Sequence, residues 1–329
     1  MNRKLVFFLA LFSLFSAGFA RVSFGIRDFS AADFRNPQVL DELCTPSATS
    51  FWCGARDADL KLVTSKGLDY MFSETGEVVA LYSKQQRGQD FGGSYNLDGA
   101  QNLIPYTSSI PGGAVLVAGK YGAPQDVESN WVETRYDDAP ALEGTFSYRL
   151  GNLRVKKTVV VSAVRNSLSV SLQVRRTAPG QGETLLQYAY PGIARQAAPV
   201  IKVGQGETFT PNPAPEAVAN PSYISLQANN RNTGTALVVR PNPNVEGSGS
   251  DALTATPLSA NQIAMGKTLP AASSAQVAFE LQTYAGPNEM VRFLQEGYLE
   301  LPGLFQPNIL GRLSLGVIIV LRAIHGFVG

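Results

Sequence analysis

The chain has 329 residues, with 27 Lys and Arg against 26 Asp and Glu, so its formal net charge is +1 and only 16% of it is charged. Such a balance gives no electrostatic case for nucleic acid, or for a strongly anionic membrane surface, as a partner. The single histidine, His325, excludes a histidine-ligated metal centre and any Ser-His-Asp or Cys-His arrangement within the body of the chain.

Met1-Asn-Arg-Lys4 supplies positive charge, Leu5 to Phe19 is almost unbroken apolar sequence, and Ser16-Ala-Gly-Phe-Ala20 brings small residues before Arg21. Residues 1–20 therefore read as an export segment. Its apolar core of about fifteen residues is shorter than the roughly twenty that span a bilayer comfortably. Gly18 and Ala20 resemble a cleavage site, so a cleaved signal peptide and a retained signal anchor both fit. In either case Arg3 and Lys4 stay on the cytoplasmic side, and the chain beyond Arg21 is expected outside. Residues 21–57 read as a linker that holds both cysteines, Cys44 and Cys53. An oxidising compartment would let the two pair across a small loop, whereas metal binding needs more ligands than two thiols; reduced, they would pack as small hydrophobes.

From about residue 58 to 300 the sequence is written in strands. Leu168-Ser-Val-Ser-Leu-Gln-Val174 alternates apolar and polar residues, Leu153 to Val161 is β-branched and basic, and Val164-Arg-Asn-Ser167 is the turn between them. With Thr145 to Leu150 across Gly151-Asn152, Thr145 to Arg175 is expected to form a three-stranded antiparallel meander. Further strands are expected at 60–63, 68–72, 77–82, 114–118, 184–190, 223–227, 235–240, 262–265 and 276–283. Many short strands between Gly, Pro, Asn and Ser clusters favour a sandwich of two twisted antiparallel sheets over a bundle or a doubly wound sheet. Pro191 to Pro221 and Pro241 to Ser274 are expected as long connections with short strands inside them.

A short helix is expected after Gly286-Pro287, with Asn288 as its N-cap, Met290, Phe293 and Leu294 on its packing face, and Gly297 ending it. Beyond the break at Leu301-Pro-Gly-Leu-Phe-Gln-Pro307, a dense apolar run from Leu313 to Leu321 leads into Arg322-Ala-Ile-His-Gly-Phe-Val-Gly329. At about 100° per residue, Ser314, Arg322 and His325 share one narrow stripe, broken by Ile318, while all else is apolar. That pattern suits a helix lying in, or entering, a membrane surface.

Other candidate chemistry is weak. The acidic pairs Asp57 with Asp59 and Asp137 with Asp138 could do acid/base work on a sugar, but read better as solvated turns. Gly180-Gln-Gly182 and Gly204-Gln-Gly206 lack the helix and lysine of a phosphate cradle and read as turns. Arg154, Lys156, Lys157, Arg175 and Arg176 form either a positive patch or an ordinary solvated face. Trp131, Tyr136 and Tyr148 either line a ligand cleft or pack in the core. No cofactor and no metal site is expected.

The order of parts resembles the YidC-type bacterial membrane insertases. The resemblance rests on the export segment and on the β domain ending in Tyr284-Ala-Gly-Pro-Asn-Glu289 with its short helix. It is most specific in the terminal Leu321-Arg-Ala-Ile-His-Gly-Phe-Val-Gly329, similar to the family's interfacial helix. Leu68 to Val78 looks like the opening strand pair of the family's periplasmic domain, and Thr145 to Arg175 like its central meander.

The resemblance implies a mainly β supersandwich of galactose-mutarotase-like shape over residues 58–300, on the periplasmic side of the bacterial inner membrane. It implies a linker and amphipathic interfacial helix over 301–329, seated on the bilayer by Leu315, Ile318, Leu321, Arg322, Ile324 and Phe327. It further implies an insertase and chaperone, not an enzyme, whose partners are lipid, nascent membrane proteins and the Sec translocon. The family's groove arginine and five core membrane helices have no counterpart up to Gly329, so the chain is expected to be an N-terminal region only. Two other readings are a secreted carbohydrate-binding or carbohydrate-modifying β-sandwich, against which the lone histidine and the apolar C-terminus argue, and a membrane-anchored structural domain of the envelope.

Overall fold

The computed structural model describes residues 24–30, 59–65, 68–83, 101–102, 110–190, 199–214, 216–227, 235–243 and 253–306, with Leu313, Gly316, Val317, Val320 and Ile324. The export segment, Cys44, Cys53 and Asp57 lie outside the described residues.

The chain opens with β1 (Gly25–Phe29), β2 (Leu60–Thr64), β3 (Leu68–Ser73), β4 (Val78–Ser83) and β5 (Gln101–Asn102), which pair in that order as a five-stranded antiparallel sheet. Gly76, at φ 68, makes the β3–β4 turn in the left-handed region where an L-residue is strained. Its bare Cα also lies against the Phe146 ring, so the first sheet seats closely on the body.

The meander comes next. β8 (Gln125–Tyr136), β9 (Ala139–Leu150), β10 (Leu153–Ser162) and β11 (Ser167–Arg176) are consecutive antiparallel neighbours. Leu153 faces Leu150 across the Gly151-Asn152 turn, and Val161 faces Leu168. Asp137 and Asp138, at φ 48 and 59, form the two-residue turn between β8 and β9. In β10 the period of two sends Leu153, Val155, Val159 and Val161 inward and Arg154 and Lys156 outward.

β20 (Gln276–Pro287) adds to β11, and β17 (Thr235–Pro241), β16 (Tyr223–Gln227), β13 (Val200–Gln205) and β14 (Thr208–Pro211) complete a nine-stranded sheet. A six-stranded sheet is built from β15 (Val218–Ala219), β18 (Leu253–Ser259), β19 (Gln262–Leu269), β12 (Thr184–Tyr190), β6 (Val115–Val117) and β7 (Lys120–Tyr121). β19 packs against β16 and β20, so the two large sheets stack face to face. Leu172, Leu186, Tyr188, Val203, Leu226, Leu237, Met265 and Leu281 belong to the single core between them. Among the described residues up to Gln306, the chain is thus an antiparallel β-sandwich followed by one short helix, α1 (Met290–Glu296).

The structure corrects several sequence expectations. β13, β14, β15 and β18 are short strands inside the two long connections, as expected, whereas β8 had no predicted counterpart. Gly204 lies within β13, where Tyr223 covers its missing side chain, and only Gly206 makes the turn. Lys157 and Arg176 are not on the solvated face: both are buried, because their positions fall on the core side of β10 and at the end of β11. Of the two uses open to Trp131 and Tyr148, the structure shows packing, the one the sequence favoured: Trp131 is edge-on to Phe146 and 5.2 Å from the Phe72 ring, and Tyr148 is buried. Asn288 does not cap the helix; Glu289 is the N-cap and makes no side-chain capping bond, while Gly297 ends the helix at φ 73 as expected.

Candidate functional site: a strap between the sandwich and an apolar helix

Every residue of β16 is buried, and alternate residues of it and of β17 serve two different cores. Leu237 and Val239 face the sandwich interior. Ala236 and Val238 face the other way and join Tyr223, Tyr284, Phe293, Tyr298 and Leu304 in a second cluster. The chain from α1 to Gln306 therefore covers the outer face of the nine-stranded sheet, as strands buried on both sides require. Phe293 is the fully buried anchor of α1, 5.3 Å from the Tyr284 ring, while Met290 and Leu294 are half-buried.

Polar side chains of the sheet hold this strap by its backbone. Arg165 donates to Gln295 O (3.2 Å) and Arg240 Nη1 to Gly297 O (2.7 Å). Tyr223 Oη donates to Pro302 O (2.6 Å), Lys202 Nζ to Gly303 O (2.8 Å) and Gln227 Nε2 to Leu304 O (2.8 Å). In the reverse sense, the Glu296 carboxylate accepts from the Asn166 N–H (2.7 Å) and the Ser167 hydroxyl (2.8 Å).

Electrostatics follow burial. Desolvation raises the Glu296 carboxyl above its ordinary pKa, opposed by the two bonds it accepts. Burial lowers Lys202 to about 8 and raises the Tyr223 phenol. A second buried cation lies inside the sandwich: Lys157 Nζ donates to Gly113 O at 2.8 Å and lies 5.7 and 5.9 Å from the Phe146 and Tyr148 rings. Burial lowers it to about 8, with Glu77 opposing the shift. Enclosed by those rings, it ties β10 to the chain entering β6 and is not accessible for chemistry.

Beyond the strap, the described residues Leu313, Gly316, Val317, Val320 and Ile324 are helical. Leu313, Val317, Val320 and Ile324 are 65, 58, 56 and 52% exposed. Their spacing of four, three and four places them within an arc of about 60° on a helical wheel. Of the residues expected to seat this helix on a bilayer, only Ile324 is among those described; Leu315, Ile318, Leu321, Arg322 and Phe327 lie outside them. Sequence reasoning did not single out Leu313, Val317 and Val320. The same helical period would have found them, on the side away from the Ser314, Arg322 and His325 stripe. No helix among the described residues is long and apolar enough to cross a membrane.

A separate cleft of about 320 Å³ lies where the end of β1, the start of β2 and the β3–β4 turn meet β8. Asp28, Ser30, Asp59, Leu60, Lys61, Glu74 and Ser129 line it, and Lys61 is ion-paired with Asp28.

These features define a class: an antiparallel β-sandwich with a strap fixed to its outer face, followed in sequence by exposed apolar residues in helical conformation. Its sequence is similar to the membrane protein insertase YidC of Deinococcus radiodurans, 30% identical over 210 residues, which bears out the resemblance to the YidC-type insertases. The alignment takes in 63% of this chain and 44% of that protein, so the chain spans less than half the length of the curated relative it matches. No family model matches the chain. Among solved structures it is similar to an α-galactosidase from Lactobacillus brevis, with a TM-score of 0.40 at 11% identity over 71% of this chain and 40% of that one. It is also similar to a putative aldose 1-epimerase from Escherichia coli, with a TM-score of 0.36 at 10% identity over 68% of this chain and 98% of that one.

Proposed function

We propose that this chain is the periplasmic region of a YidC-type membrane protein insertase at the bacterial inner membrane, with residues 58–300 as its β domain and 301–329 as the segment that meets the bilayer. The observation that carries the reading is the exposed apolar arc of Leu313, Val317, Val320 and Ile324, which follows in sequence a strap whose backbone is fixed to the sandwich. An exposed apolar helical face gains by entering the headgroup boundary, at roughly 25 cal/mol per Å² of apolar surface removed from water. The similarity to YidC supports the same assignment and suggests nascent membrane proteins as clients. Leu315, Ile318, Leu321, Arg322 and Phe327 would complete the seat, and the sandwich would act as the scaffold contacting partners such as the Sec translocon. In this reading the chain is not an enzyme.

Flotation with liposomes tests the proposal. The chain from Arg21 onward, without the apolar export segment, should co-float, and its variant carrying Val317→Asp, Leu321→Asp and Ile324→Asp should remain at the bottom of the gradient with its thermal unfolding unchanged. Undiminished flotation of the folded variant would remove the membrane-surface role.

A further inference from the structure

The two ends of the nine-stranded sheet are unlike. One ends in β14, with 4 residues; the other ends in β8, with 12 residues, on whose outer side no strand pairs among the described residues. In an antiparallel pair, backbone groups point alternately toward and away from the partner strand, so β8 turns a row of N–H and C=O groups outward. Such an edge is a ready template for one more strand.

Its chemistry narrows what that strand can be. Glu128, Asn130, Val132 and Glu133 are exposed along it. The cleft beside Ser129 adds the carboxylates of Asp28, Asp59 and Glu74, with Lys61 held by Asp28. At about 320 Å³ it lies near the lower end of ligand pockets, which run from about 300 to 1,000 Å³. With Lys61 set against them, the three carboxylates leave the cleft net acidic, which suits the end of one long cationic side chain.

We propose that the outer edge of β8 docks an extended polypeptide carrying lysine or arginine side chains, one of them entering the cleft at Ser129. Backbone bonds to β8 supply the affinity, and the acidic rim selects the sequence. This surface is distinct from the apolar helix and does not depend on the membrane reading.

The test uses the full chain in detergent, with Trp52→Phe so that Trp131, on β8 itself, is the fluorescent reporter. A synthetic peptide of alternating Lys and Val should change the Trp131 emission and slow amide exchange at alternate residues of β8. The matching Glu and Val peptide should do neither. Glu128→Lys with Glu133→Lys, both on the surface, should weaken the Lys peptide about tenfold or more while leaving unfolding and flotation at the parent level. Failure of the Lys peptide to bind, equal binding of the Glu peptide, protection confined to other strands, or undiminished binding by the folded double variant would each overturn the proposal. Because flotation reports separately on the apolar helix, loss of either reading leaves the other standing.

Discussion

Arg240 sits over the ring of Tyr298, its guanidinium carbon 4.0 Å from the ring centroid, while its Nη1 holds the carbonyl of the helix-ending Gly297 at 2.7 Å. The same group donates from Nε to Gln282 Oε1 at 2.9 Å, so one side chain on β17 fixes the end of α1, the aromatic after it and a neighbour on β20. Arg240→Lys keeps the charge but loses the fork. The variant is expected to lower the local opening free energy of the strap by about 1–2 kcal/mol. Faster amide exchange over residues 293–304, with the β9–β11 meander unchanged, is the result to look for.

Glu296 is held at the other side of α1. Glu296→Ala leaves the Asn166 N–H and the Ser167 hydroxyl without their acceptor, at a cost of about 1–3 kcal/mol. Limited proteolysis should then cut within residues 297–306 before the sandwich. Because burial raises the folded pKa of Glu296, the protonated form is favoured in the fold, and this group's contribution is present in acid and lost as pH rises through its raised folded pKa. Mild acid should therefore protect the parent strap, and the Ala variant should lack that part of the response.

Two buried lysines give the opposite slope at alkaline pH. The folded pKa of both Lys157 and Lys202 is about 8, whereas an unfolded lysine keeps its proton to about 10.4. Between those values the unfolded chain binds more protons, so stability rises with pH. Above about pH 10 the trend reverses. Buried phenols such as Tyr70, Tyr188 and Tyr284, all raised by burial, then ionise only on unfolding. Urea unfolding from pH 7 to 11 should show a maximum near pH 10, and Lys157→Met should remove on the order of 3 kcal/mol of the rise.

The junction of the first sheet with the body turns on one missing methyl group. A Cβ at Gly144 would fall 2.7 Å from the Trp131 indole, which also packs on Phe72 and Phe146. Gly144→Val is expected to displace the indole, shift its emission to the red and destabilise the protein by about 1–3 kcal/mol. Unchanged Trp131 emission would show that the contact is not tight.

The strands most legible from sequence were those with one face in the core and one in water. β10 and β11 announce themselves by alternation, and β12 and β16 by compact apolar runs between turn residues. β8 was illegible because an edge strand is wet on most of its surface, so Asp126, Glu128, Glu133 and Arg135 break the period. β18 was hidden by Pro257, which sits beside a register shift against β19. Lys157 shows the limit from the other side: its position was readable as inward by the period of two, yet its charge argued for solvent. The strap's donors were invisible for a different reason. Tyr223, Gln227 and Arg165 meet carbonyls 77 to 130 residues away, and nothing local in any of them marks that pairing.

A carbonyl looks much the same whichever residue carries it. Since Arg165, Arg240, Tyr223, Lys202 and Gln227 all take hold of the strap through such groups, they read its path and hardly its spelling. Exposed positions between Gln295 and Leu304 are consequently free to drift over generations, while their grips on the sheet are not. Homologues that differ in the strap yet keep those five side chains would carry the signature of that asymmetry.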